Sequence, residues 1–207
     1  MIVFDCEIAN AIPDKRAAPL PDIRYCDGWG DFAGMGIACV CTLDTDTGLP
    51  RVFTGAHLSE LAPYLASAYS TGGFNSRRFD SRLLAAHGIP VDPERHFDAL
   101  DAIRAAQGIN PDGIPPPEHR GWTLDAISEG TFGLNKSGDG AMAAVWWQQG
   151  QWGRVVDYCM RDTYLTAKLI TRILAGESVT AAGKDTLHFS PREFSPVRIE
   201  PPKEINT

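Results

Sequence analysis

The stretch Ile2-Val3-Phe4-Asp5-Cys6-Glu7-Ile8-Ala9 decides the fold. β-Branched and aromatic residues alternate with polar ones, which predicts a strand over residues 2–9. Its apolar content suits a central place in a sheet. Strand side chains repeat every two residues, so Asp5 and Glu7 face one way. Two acids on one side of an apolar strand are costly unless something pairs with them. Carboxylate oxygens suit Mg2+ or Mn2+, so a divalent cation is a natural partner. An edge strand with solvated acids is the competing account. The D-x-E pattern recurs at Asp92 and Glu94, where Pro93 marks a solvated turn.

Outward from this strand, residues 35–43 predict a second strand. The stretch Asp44 to Gly48 is turn chemistry, and residues 51–54 pair back as a third strand in an antiparallel hairpin. Residues 10–34 hold Pro13, Pro19 and Pro21 and read as a long loop, ordered by Tyr25, Trp29 and Phe32. Helical spacing appears over 58–69 and 79–87, the latter stopped by Gly88. Short strands are expected at 72–75 and 96–97, and further helices near 99–107 and 123–130. The clearest helix covers about 151–175, with a core stripe through Val155, Cys159, Leu169 and Ile173. Strands followed by helices in this order imply an α/β domain, a mixed central sheet flanked by helices, over residues 1–176. Residues 177–207 carry Pro191, Pro196, Pro201 and Pro202 and read as an irregular tail, either disordered or docked on the domain.

Other acids join the first pair. Asp80 follows Phe79 where a strand gives way to a helix, a position that also suits an N-cap. Tyr158 and Asp162 lie four apart on the long helix and so share a face. Such a pair is commonplace on exposed helices, but here the surrounding face is apolar. Asp98 also follows a Phe and is expected to cap the next helix.

Taken together, these pieces resemble the DEDD superfamily of RNase H-like 3′–5′ exonucleases. Residues 4–9 (FDCEIA) look like its first motif, 74–84 (FNSRRFDSRLL) like its second, and 155–169 (VVDYCMRDTYLTAKL) like its third. The N-x-x-x-F-D spacing is most similar to proofreading domains of family B DNA polymerases. Residues 123–138 are similar to a linking stretch of these enzymes. The third motif places Asp157 five before Asp162 and Tyr158 four before, which is the pattern of the tyrosine branch.

The resemblance implies that Asp5, Glu7, Asp80 and Asp162 hold two divalent cations, Mg2+ or Mn2+. It implies that Tyr158 orients an attacking water and that nucleoside 5′-monophosphates are released. The expected partner is the 3′ end of single-stranded nucleic acid, DNA before RNA. Phe74 and Phe79 are candidates to stack a terminal base, with core packing the alternative for Phe79. Asn75 is a candidate hydrogen-bonding contact to the substrate or a site carboxylate, with an ordinary turn residue the alternative. Arg77, Arg78 and Lys136 are candidate phosphate contacts, with solvated surface charge as the alternative for each. Without a polymerase domain, such an enzyme acts alone or with a replication or repair partner. An exoribonuclease with the same site, or a catalytically silent binding module, are the rival readings.

Composition bounds the rest. Hydrophobic residues make up 43% of 207, an ordinary globular balance. A net charge of −7 excludes nucleic-acid binding by bulk attraction, so phosphate contacts require a local basic patch. Five cysteines, with no C-x-x-C pair, read as reduced buried thiols; Cys39 and Cys41 share one strand face without an evident second pair. The first residues do not read as a signal peptide, and no apolar run suits a membrane helix, so a cytoplasmic protein is expected.

Overall fold

The computed structural model describes residues 1–14, 16–110, 113–134 and 140–192. Strand β1 (Ile2–Ile8) leads into a loop that closes with a single helical turn, α1 (Phe32–Met35). Strands β2 (Ile37–Asp44) and β3 (Pro50–Phe53) form the hairpin. A 3-10 segment precedes helix α2 (Leu61–Ser67); then come β4 (Thr71–Gly73), α3 (Asp80–Ala86), β5 (His96–Asp98) and α4 (Ala99–Ala106). Helices α5 (Leu124–Phe132), α6 (Ala143–Gln148) and α7 (Trp152–Leu174) complete the described elements.

The five strands make one mixed sheet in the order β3-β2-β1-β4-β5. The hairpin pairs are antiparallel, while β1, β4 and β5 run parallel. Strand β1 is therefore central, as its composition predicts. The α/β expectation of a mixed sheet flanked by helices holds.

Each face of the sheet carries its own core. On one side Ile2, Phe4, Cys6 and Val40 pack with Leu61 and Leu65 of α2 and Leu83 and Leu84 of α3. On the other, α7 lays Leu169, Ile170 and Ile173 over Val3, Leu43 and Phe97, with Ile103 of α4 beside them. Farther along α7, Val155 and Cys159 meet Cys39, Cys41 and Trp146. The period-2 split of β1 and the long stripe of α7 meet here.

Two expectations need correction, and one alternative is decided. Residues 35 and 36 are not strand: Asp31 accepts a hydrogen bond from Gly34 N at 2.9 Å, which fixes one helical turn, and Gly36 turns the chain at φ 60°. Helix α6 was not expected, being too short to show periodicity. Within the expected tail, residues 177–192 pack on the domain. Val179 and Ala181 are buried, Ala182 N donates to Ala126 O at 2.8 Å, and Val179 bridges Leu187. The rest of the expected tail lies outside the described residues.

The loop after β1 is tied down by polar groups. Gln148 Nε2 donates to Ala9 O (2.9 Å) and Arg24 O (3.0 Å), while its Oε1 accepts from Arg24 N at 2.7 Å. Phe32 is buried beneath, but Trp29 stands 72% exposed, edge-on to Phe79.

Candidate metal centre

On the α7 side of β1, Asp5 and Glu7 stand directly opposite two thiols of β2. The register pairs Asp5 with Cys41 and Glu7 with Cys39, and a bulge follows at Glu7/Ile8. Bulges are frequent next to sites, where they re-aim a strand. From above, α7 adds Tyr158, Cys159 and Asp162. Carboxylate oxygens of Asp5 and Glu7 and the Cys159 sulfur lie within 4.8 Å of one another. Cys159 Sγ also reaches the Asp5 carbonyl at 3.3 Å.

Asp80 enters from the other neighbour of β1. Alternate amides of β1 point toward β4: Ile2 N donates to Ser70 O at 2.9 Å. Strand β4 ends at Gly73, so the amide of Cys6, two steps further along that series, passes beyond it. Asp80 Oδ1 accepts that N–H at 3.0 Å. The carboxylate thus continues the ladder where backbone runs out, which satisfies a buried donor. The residue before the helix is Phe79, which makes no capping hydrogen bond, so the N-cap alternative for Asp80 does not hold.

The electrostatics bind these acids into one group. Burial pushes the Asp5 carboxyl well up, and Asp80, Glu7 and Asp162 push it further. Burial likewise raises Glu7, with Cys39, Asp162 and Asp80 adding to it. Burial raises Asp80 to about 7 and Asp162 to about 6, the latter relieved in part by a hydrogen bond from Tyr158. Tyr158 itself is pushed well above its usual range by burial and by Asp162, Glu7 and Asp5. A Cβ at position 140 would stand 2.9 Å from the Tyr158 hydroxyl, so Gly140 lets the chain close over the phenol.

Four carboxylates from three separate elements therefore share one buried neighbourhood and repel one another. Such a donor set fits a hard divalent cation, which neutralises the group and takes oxygen ligands. The Cys159 sulfur beside Asp5 and Glu7 is a soft neighbour that sequence reasoning left on the core stripe.

The weaker candidates are placed as follows. Phe74 packs partly against the α7-side core. Asn75 adopts φ 55°, and its amide donates to Asp98 Oδ1 at 3.0 Å. Asp98 also caps α4 through Leu100 N, as expected. Arg77 and Arg78 each hold Asp101 at 2.8 Å. Lys136 lies outside the described residues.

Two open regions flank the carboxylates. A cleft of about 580 Å3 is lined by Glu7, Ile12, Arg16, Trp29, Phe79 and Ala144, among others. A second, of about 560 Å3, touches Tyr158, Trp146, Arg154 and Arg161. The Arg154 guanidinium lies 3.6 Å over the Trp146 ring. Phe79, a stacking candidate from the sequence, is joined in the cleft wall by Trp29, whose part was missed because the long loop hides which face it takes.

Among the described residues no helix is long and apolar enough to cross a membrane. The chain matches no family model and no curated protein.

Proposed function

We propose that this chain is a two-cation 3′–5′ exonuclease with an RNase H-like fold, of the tyrosine branch of the DEDD enzymes. Its substrate is the 3′ end of single-stranded nucleic acid, DNA before RNA. The observation that carries this reading is the convergence of Asp5, Glu7, Asp80 and Asp162 from β1, α3 and α7 into one mutually repelling group. The mixed sheet, with its antiparallel hairpin beside a parallel trio, supports the fold assignment.

Asp5, Glu7, Asp80 and Asp162 would hold the cations. Mg2+ or Mn2+, when bound, supplies a coordinated water of lowered pKa and charge stabilisation for the leaving oxygen. Tyr158 keeps its proton at neutral pH, since burial and three acids raise it. Its hydroxyl donates that proton's hydrogen bond to Asp162, so it orients water by accepting a hydrogen bond at its oxygen and does not act as a base. The Cys6 amide fixes Asp80 Oδ1 and so sets the orientation of that carboxylate beside Asp5. Trp29 and Phe79 offer aromatic faces in the adjoining cleft, which suits stacking of an unpaired base. Arg16 brings positive charge to the same cleft in a chain that is otherwise acidic.

A time course on a 5′-labelled single strand with Mn2+ tests the reading. A ladder that shrinks from the 3′ end is expected, with Asp5→Asn and Asp162→Asn inactive. Undiminished turnover in Asp162→Asn sinks the proposal. Matched DNA and RNA strands in the same assay decide the substrate.

A further inference from the structure

We propose that Cys39, Cys41 and Cys159 form a three-thiol site for a soft thiophile, and that trivalent arsenic is its best-matched occupant. Cys39 and Cys41 alternate on β2 and both face α7, from which Cys159 descends. The three sulfurs lie within 4.8 Å of one another, and all three residues are 0% exposed. The three thiols hydrogen-bond weakly among themselves, and Cys41 Sγ also donates to Val156 O at 3.7 Å and Cys159 Sγ to Asp5 O at 3.3 Å. Little is therefore lost when those protons leave.

Charge selects the occupant. Three thiolates around a divalent d10 ion leave a net negative charge. Here that charge would be buried next to Asp5 and Glu7, which stand opposite Cys41 and Cys39 in register. Arsenous acid avoids this cost. Its three As–OH bonds exchange with three S–H groups, three As–S bonds form and three waters leave. Arsenic stays trivalent, no electron is transferred, and the product is neutral. Hard cations are drawn instead to the oxygen row beside it. The Cys159 sulfur borders the Asp5–Glu7 pair, and Glu7 in turn lines the open cleft, so the thiols stand one side chain behind its wall. Cys6 packs with the core on the opposite sheet face, and so does Cys26. These two serve as internal controls.

The test is native mass spectrometry of the reduced, folded, full chain after incubation with arsenite and desalting. One arsenic per chain is expected in the wild type, in Cys6→Ala and in Cys26→Ala, and none in Cys39→Ala, Cys41→Ala or Cys159→Ala. Equal uptake by Cys159→Ala overturns the proposal, as does uptake only by the urea-unfolded chain. X-ray absorption at the arsenic edge of the loaded wild type reads the site without any variant. Three sulfur neighbours are expected, and an oxygen neighbour overturns the assignment. Neither readout depends on nuclease activity, so failure of one proposal leaves the other standing.

Discussion

On one face of the β1–β2 ribbon, Ile2, Phe4, Cys6 and Val40 meet leucines of α2 and α3; on the other, Val3 gives way to Asp5, Glu7, Cys39 and Cys41 beneath α7. The two faces share one backbone and differ by a single step of register. The first is built for cohesion, since each side chain removes apolar surface from water. The second gathers acids whose burial is unfavourable until something neutralises them. A central strand can carry both because its ladder hydrogen bonds are satisfied whichever face the side chains take.

The sharpest way to break this comparison is to change neighbouring residues on opposite faces. Phe4 is 1% exposed, and Phe4→Ala is expected to cost about 3–5 kcal/mol in urea unfolding. Asp5→Asn, in metal-free buffer, is expected to leave stability unchanged or raise it. If Asp5→Asn costs as much as Phe4→Ala, the two faces are not different in kind.

The pH dependence sharpens the same contrast. The folded carboxyls of Asp80 and Asp162 sit at about 7 and about 6, above their ordinary range. The folded state thus binds protons more tightly than the unfolded state, and stability falls as pH rises through these values. His96 pulls the other way, because burial depresses it to about 4 and the unfolded imidazole takes a proton first. Comparing the wild type with Asp80→Asn cancels that term. Relative to this variant, the metal-free wild type should lose on the order of 3 kcal/mol between about pH 5 and about pH 8. Parallel pH curves for the two proteins would refute it.

Mn2+ should reverse the unfavourable balance on the acidic face alone. At a hundredfold excess over its Kd it should stabilise the wild type by about 2.7 kcal/mol, read as a rise in Tm. The rise should vanish in Asp5→Asn and persist in Phe4→Ala, provided that variant is still folded at the start of the scan.

The smallest expected effect lies at the cleft mouth. Trp29→Ala removes an exposed ring, so stability should stay within about 0.5 kcal/mol of the wild type. Single-strand binding, measured by fluorescence anisotropy with Ca2+ in place of Mg2+, should weaken by about 1–3 kcal/mol. Unchanged binding would remove the ring from the substrate path.

Much of this was legible from residue order. The alternation in residues 2–9 specified a central strand with two acids on one side, and the stripe through Val155, Cys159 and Leu169 specified α7. Both signals are long and periodic. The parts that were not legible depend on contacts between distant segments. Nothing local marks Cys159 as the third partner of Cys39 and Cys41, since its spacing is that of any core residue on α7. Arg77 and Arg78 look like free surface cations until α4 brings Asp101 to them. The turn at Phe32–Met35 and helix α6 are too short to display a period.

The hydrogen bond from Cys6 N to Asp80 Oδ1 gives the sheet a built-in voltmeter. The Cys6 amide proton points at the carboxyl whose charge changes near neutrality, so its NMR shift should move as Asp80 titrates and jump when a cation binds that carboxylate. A backbone resonance in the central strand would then report occupancy of the centre before any substrate is added.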